Sequence, residues 1–283
     1  MNTVAARGEQ LREVRGPSAL AGGGRRFFDL LLLMSVTEFK RTYFGTVLGY
    51  LWSLVRPLML FAVLLFVFTQ VLRVGSGVDN YPVLLLLGIV LYSFFQETST
   101  NSVTAVVAQE GIVRKTQFPR LVIPLAVVLT GIFNLTLNLL VVTVFILAWG
   151  VDPTWTWLLF PVALILFFAF AAAISMMLSA LFVRFRDTMI IWSVMVTVLF
   201  YATPILYPIE IVPEQYRSLL MINPLAPIFE QVRVWVIDPS APTAVDAAGG
   251  VLGLLPAFAI FVGTCVLGIL IFSRAAPRIA EEL

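Results

Sequence analysis

Glu110-Gly-Ile-Val-Arg-Lys-Thr-Gln-Phe-Pro-Arg120 is a charged interruption in an apolar text. On either side lie runs of about 26 residues, 82–107 and 124–149, which carry one charge between them, at Glu97. Each run is long enough to cross a hydrocarbon layer of about 30 Å as a helix. The interruption is therefore a short turn between two membrane helices. It holds three cations (Arg114, Lys115, Arg120), Glu110 and a Phe118-Pro119 break before Pro124. A basic turn with one apolar tooth suits either of two roles. It can fix topology by charge, or dock into a groove on a soluble partner.

Composition agrees with a polytopic membrane protein. The 283 residues are 60% hydrophobic and 12% charged, and mean hydropathy is +0.99. A net charge of +2 is too small to suggest a nucleic-acid partner. With no histidine and one cysteine (Cys265, inside an apolar run), histidine acid–base catalysis, disulfides and cysteine-rich metal sites are excluded. The only lysines are Lys40 and Lys115, and neither follows a glycine. A G-x-x-x-x-G-K-[ST] phosphate loop is thus absent, and ATP-driven work would need another subunit.

The expected fold is an all-α membrane protein. Residues 1–24 are polar and Gly-rich and read as a mobile tail, with no signal peptide. Residues 25–45 read as an amphipathic helix in the membrane interface, because the apolar core is short and cations flank it. The transmembrane domain then takes 46–283, with six spans at about 50–72, 82–107, 124–149, 155–182, 188–206 and 249–272. Six prolines (Pro208, Pro213, Pro224, Pro227, Pro239, Pro242) break the stretch between the last two. Its apolar pieces, 211–222 and 225–237, are too short to cross and read as re-entrant or surface helices interrupted at Asn223-Pro224. With the N-terminus inside, all Lys and Arg except Arg56, Arg73, Arg217 and Arg233 fall on the inner side. Both termini and the opening turn are therefore expected in the cytoplasm.

Several residues stand out within this frame. Ser93, Glu97, Thr100, Asn101 and Thr104 recur at helical spacing and form a polar stripe on the second span. It lines a passage for a hydroxyl-rich substrate, or it hydrogen-bonds another helix. A proton relay is weakened by the lack of a second intramembrane acid. Trp52 and Arg56, before Pro57, either meet an anionic headgroup such as a pyrophosphate or snorkel. Trp192, Phe200, Tyr201 and Tyr207 offer aromatic faces for sugar rings, with packing as the alternative. Small residues (Ala169, Ala173, Ser175, Ser179, and Gly249, Gly253, Gly263, Gly268) suggest close helix contacts. Asp187, after Arg184 and Arg186, caps the next helix or joins a partner contact. The outer acids Glu210, Glu214, Glu230, Asp238 and Asp246 read as scattered, without metal-ligand spacing.

In this order the motifs resemble the membrane subunit of ABC-2 type polysaccharide exporters, which move lipid-linked O-antigen, teichoic acid, capsule or galactan. The matching stretches are Gly45-x-x-x-Gly49-x-x-Trp52-x-x-x-x-Pro57, Gly88 with Tyr92-x-Phe94-Phe95, Arg114-Lys115-x-x-Phe118-Pro119-Arg120-x-x-x-Pro124, Arg184-x-Arg186-Asp187, and Pro204-x-x-Tyr207-Pro208 followed by Asn223-Pro224-Leu225. They spread over about residues 27–237. The resemblance implies that the Glu110–Arg120 turn is a coupling helix docking into an ATP-binding subunit, helped by the Arg184–Asp187 loop. It implies outer gate helices built around Pro204, Tyr207, Pro208, Asn223 and Pro224. Two copies would enclose one channel, each with its own ATPase carrying ATP and Mg, in a bacterial inner membrane. No catalytic residue, metal or cofactor is implied on this chain. The competing expectations are an ABC-2 exporter of a drug or lipid, a membrane-embedded glycosyltransferase, and an ATP-independent channel or carrier.

Overall fold

A computed structural model describes residues 24–43, 49, 51–73, 78–115 and 118–279. The expected tail, apart from Gly24, lies outside the described residues. Every regular element among those described is helical: α1 (Gly24–Tyr43), α2 (Leu51–Phe66), α3 (Tyr81–Ala108), α4 (Glu110–Lys115), α5 (Val122–Ala148), α6 (Phe160–Arg184), α7 (Thr188–Ala202), α8 (Glu214–Leu220), α9 (Leu225–Val236), α10 (Ala244–Ala247) and α11 (Leu255–Ala275). Proline marks several starts. Pro82, Pro161 and Pro256 sit in the first turns of α3, α6 and α11, where the missing N–H costs no helical bond.

Among the described residues, five helices are long and apolar enough to cross a membrane: Leu51–Val71, Tyr81–Ala108, Val122–Ala148, Trp155–Arg184 and Val251–Ala275. Their bounds lie close to the expected spans. The fifth expected span, 188–206, is shorter than its apolar text suggests. Its helix stops at Ala202, where Thr203 turns extended, so its 15 residues rise roughly 22 Å.

Helix α3 is the centre of the bundle. Its first half, 81–95, is apolar almost all round, and most of the helix is buried, packed between α5 and α6. Phe94 and Phe95 meet Phe167, and Phe95 also meets Trp192 of α7 at 6.1 Å between ring centroids. By contrast α2, α7 and α11 turn large apolar side chains outward, among them Met59, Val63, Ile190, Val194, Phe258 and Ile269. Helices whose exterior is apolar suit lipid as their solvent. Close contacts fall where small residues permit them. A Cβ on Gly268 of α11 would lie 2.5 Å from the Ala173 carbonyl oxygen of α6, so that pairing of small residues is borne out. Gly263 has nothing within 4 Å, and Gly249 lies in a turn at φ +76° instead.

The expected interface helix is α1, which packs along α5. Thr130 donates a hydrogen bond to the Ser35 carbonyl at 3.1 Å, and Phe39 meets Phe133 edge to face. The two short helices after α7 are present as α8 and α9, with the break at Asn223-Pro224 where proline demands it.

Candidate functional site

The polar stripe of α3 opens into a cavity of about 620 Å³. Helix α2 supplies Trp52, Ser53 and Arg56, α3 supplies Ser93, Glu97 and Thr98, and α5 supplies Gly131, Asn134 and Asn138. A second cavity of about 400 Å³ adds Glu38 and Arg41 of α1, Asn101 and Thr104 of α3, and Thr130 of α5. Thr42, Glu97, Thr98, Gly131 and Asn134 line both, so the two form one polar trough along α3. Arg56 of α2 and Glu97 of α3 both line it. Gly131 sets the spacing of the walls, since a Cβ there would fall 2.2 Å from Thr98 Oγ1. Asn138 donates to the Asn134 backbone carbonyl one turn back at 2.8 Å, and both residues line the cavity.

Ser93, Glu97, Asn101 and Thr104 are thus brought together with Trp52 and Arg56. Thr100, Phe200 and Tyr201 are not part of this trough. Phe200 packs on Tyr92 at 5.1 Å, and Tyr201 is exposed. Trp192 donates to Ser99 Oγ at 3.1 Å inside the core, which makes it a packing residue. Asn134 and Asn138 were not singled out from the sequence, although two amides four residues apart in an apolar span are a legible sign of a polar face.

The turn between α3 and α5 divides its residues between surface and interior. On α4, Arg114 pairs with Glu110 at 3.1 Å, both well exposed, and Ile112 is 52% exposed. Lys115 ends this helix. Phe118, Pro119 and Arg120 are buried within the chain rather than presented on its surface. Phe118 joins an apolar cluster with Val113, Val183, Phe272, Ala276 and Ile279, and the Arg120 guanidinium donates to the Ala276 carbonyl. The apolar tooth on the exposed part of the turn is therefore Ile112. Val183 places the Arg184–Asp187 loop at the same end of the bundle. There Arg184 lies over Phe185 and Arg186 over Phe182, at 5.6 and 5.0 Å from the ring centroids. Asp187 is exposed and precedes α7 without a side-chain capping bond.

At the other side of α7, the expected gate residues converge on one turn. Asn223 donates to Thr203 Oγ1 at 2.8 Å and accepts from the Leu225 amide at 3.1 Å, linking the end of α7 to the start of α9. Tyr207 donates to the Tyr201 carbonyl, and Pro204 and Pro208 are buried. The outer acids are not all scattered, which corrects the sequence reading. Arg233 forms paired bonds to Glu210 at 2.7 and 2.8 Å and one to Glu230 at 3.1 Å, with Asp238 at 3.9 Å. Burial pushes the Glu230 carboxyl up to about 7 against the pull of Arg233. Burial also works against ionised Glu210, but the Arg233 hydrogen bonds outweigh it and hold that carboxyl below its ordinary value.

Comparison with known proteins adds the family. The ABC-2 type transporter family model matches residues 29–236. An O-antigen export system permease protein, RfbA, of Klebsiella pneumoniae is 34% identical over 200 residues, covering 70% of this chain and 76% of that protein. Its counterpart in Myxococcus xanthus is 32% identical over 221 residues, 77% of this chain and 84% of the other. The polysialic acid transport protein KpsM of Escherichia coli is 26% identical over 196 residues, 68% and 76% respectively. With a polar trough along a buried helix, a basic turn at one end and a matching model over most of its length, the chain belongs to the ABC-2 type transporter membrane family.

Proposed function

We propose that this chain is the membrane subunit of an ATP-driven exporter that carries a lipid-linked polysaccharide outward across a bacterial inner membrane. The observation that carries the reading is the trough. Hydroxyls, amides, two guanidiniums and two carboxylates line it between α1, α2, α3 and α5 in an otherwise apolar bundle. A glycan needs such a wall, because each of its hydroxyls loses water on entering the membrane and must regain partners. Relatives named for O-antigen and polysialic acid support the substrate class. Trp52 and Arg56 contact the headgroup at the trough's mouth, and the α3 stripe continues the path.

Energy comes from elsewhere, since the sequence has no phosphate loop of its own. Two copies of the chain act with two ATP-binding subunits, which hold ATP and Mg. The exposed face of α4 (Glu110, Ile112, Arg114), with Arg184, Arg186 and Asp187, docks into those subunits on the cytoplasmic side, where both termini lie. Phe118, Pro119 and Arg120 act behind that face. Phe118 shares an apolar cluster with Val183 of α6 and Phe272 of α11, and Arg120 bonds the Ala276 carbonyl, so a push on α4 reaches α6, which packs on α3. The turn built from Pro204, Tyr207, Pro208, Asn223 and Pro224 is the outer gate.

Affinity purification of the tagged chain from mild detergent, with mass spectrometry of what accompanies it, tests this reading. A stoichiometric soluble ATPase is expected. A lone chain with glycosyl-transfer activity would instead favour a membrane-embedded transferase.

A further inference from the structure

Arg233 of α9 is held by two carboxylates that belong to different parts of the fold. It donates twice to Glu210, at 2.7 and 2.8 Å, and once to Glu230 at 3.1 Å. Glu230 lies one turn back on the same helix, and its side chain is 1% exposed. Glu210 belongs to the Ile209–Ile211 turn and is 39% exposed. One set of bonds therefore crosses between elements, and the other stays within α9.

The crossing pair fastens a flap. Residues 204–222 leave the end of α7 and return at Asn223, which donates to Thr203 Oγ1 and ties the two ends of the segment together. Inside it, Arg217 of α8 donates to the Glu210 and Val212 carbonyls, so 210–217 behaves as one piece. Glu210–Arg233 joins that piece to α9 over an apolar floor of Ile209, Met221 and Ala226. Arg233 also lines a narrow gap with Gly88 and Leu91 of α3 and Pro204 of the gate turn, so the fastening sits beside the gate.

Breaking a buried ion pair ordinarily strands a charge. Here Glu230 stands ready as a second counter-ion at i,i+3 spacing. While the flap is shut, burial holds the Glu230 carboxyl up to about 7, and the Arg233 bonds keep Glu210 ionised. Lifting the flap would admit water and leave Arg233 to Glu230, and both changes favour the ionised form. Other charges near α9 are few. Asp238 lies 3.9 Å from Arg233. Asp246 of α10 is engaged by Thr243, Glu214 of α8 and Asp152 are exposed, and Tyr81 and Tyr207 donate to the Leu206 and Tyr201 carbonyls. The turn at Trp155–Leu159 carries no charge, and the one charge of α6, Arg184, is at its far end.

We propose that Arg233 is a two-position latch on the outer gate: bound to Glu210 it holds residues 204–222 against α9, and handed to Glu230 it lets them lift while Glu230 releases one proton. Its role in export rests on the gate reading given above, but the motion is measurable without transport. The shut form keeps the Glu230 proton longer. Closure is therefore fully favoured below the ordinary carboxylate value near 4.5 and is lost as pH rises through about 7.

The test is hydrogen–deuterium exchange with mass spectrometry on the purified full chain, in nanodiscs of phosphatidylethanolamine and phosphatidylglycerol. Rates are taken from about pH 5 to pH 8 and divided by the intrinsic amide rate at each pH. Opening of 209–220 should increase at least about tenfold between pH 5 and 7 and level off above, with α3 protected throughout. Glu230→Gln cannot ionise and should leave the segment slow at every pH. Glu210→Ala, at a partly exposed position, should leave it fast at every pH, and it serves where Glu230→Gln does not fold. Protection of α3 reports folding of each variant. The latch is overturned if 209–220 in the unaltered chain ignores pH, if the dependence survives Glu230→Gln, or if Glu210→Ala is as protected as the unaltered chain. A chain that shows the latch but no ATP-driven export keeps this inference and loses the exporter reading. An exporter whose 209–220 segment ignores pH does the reverse.

Discussion

Arg120 and Ala276 are joined, guanidinium to backbone carbonyl, across 156 residues of sequence. The bond ties the turn between α3 and α5 to the end of α11, and Phe118 fills the same corner. The family-type basic turn therefore has two parts: an exposed helical face that can be touched, and a buried anchor that holds it to the bundle.

The two parts should respond differently to mutation. Arg114→Glu changes an exposed side chain, so thermal stability in detergent should move by less than about 0.5 kcal/mol. Recovery of the co-purifying ATPase should nonetheless fall sharply. Arg120→Gln removes a charge-assisted buried bond and should cost about 1.5–3 kcal/mol of stability. Thermal unfolding of both variants, measured beside the pull-down, checks the division. Equal behaviour of the two would contradict it.

Glycine supplies a second test within one helix. Gly268→Ala forces a methyl to within 2.5 Å of the Ala173 carbonyl oxygen, whereas Gly263→Ala meets nothing within 4 Å. Prising α6 from α11 should cost about 1–3 kcal/mol. The Gly263 variant should be neutral or more stable by up to about 1 kcal/mol, because alanine favours the helix. Melting temperatures of the two variants decide the matter.

The cluster around Arg233 makes stability depend on pH. Glu230 titrates near 7 when folded, above its ordinary value near 4.5. A raised carboxyl pKa means that the folded state holds the proton longer. Its contribution is full below about pH 4.5 and is lost as pH rises through about 7. Glu210 is lowered and acts in the opposite sense, its contribution fading as pH falls below the ordinary carboxylate range. Glu230→Gln should flatten the decline between pH 5 and 8, as read from thermal melts across that range. A slope unchanged by the substitution would assign the pH dependence to another group.

Asn223 tests the gate turn. Its side chain holds Thr203 at 2.8 Å and the Leu225 amide at 3.1 Å. Asn223→Ala should cost about 1–2 kcal/mol. It should also raise hydrogen exchange across 203–225 while leaving α3 protected. Uniform loosening of the bundle would argue against a local tie.

Helix ends were legible in the sequence because proline and charge interrupt apolar runs at the places where the membrane must end. The reach of α7 was less so, since Thr203 and Pro204 continue an apolar text after the helix has stopped. The α3 stripe could be found from its spacing. Its opposite wall, Asn134 and Asn138, was missed because each amide alone is unremarkable inside an apolar span. Burial of Arg120 has no local sign, as its acceptor is a backbone carbonyl far along the chain. The convergence on Arg233 was half visible, in the i,i+3 spacing of Glu230. Glu210 arrives only through the turn after Pro208.

The most direct measurement is ATP-dependent movement of a lipid-linked polysaccharide into proteoliposomes holding this chain and its co-purified ATPase. The account predicts transfer that needs both ATP and the partner, and that falls when Glu97→Gln replaces the acid that α3 places in the trough. Transfer that proceeds without ATP, or polymer synthesis in place of transfer, would contradict it.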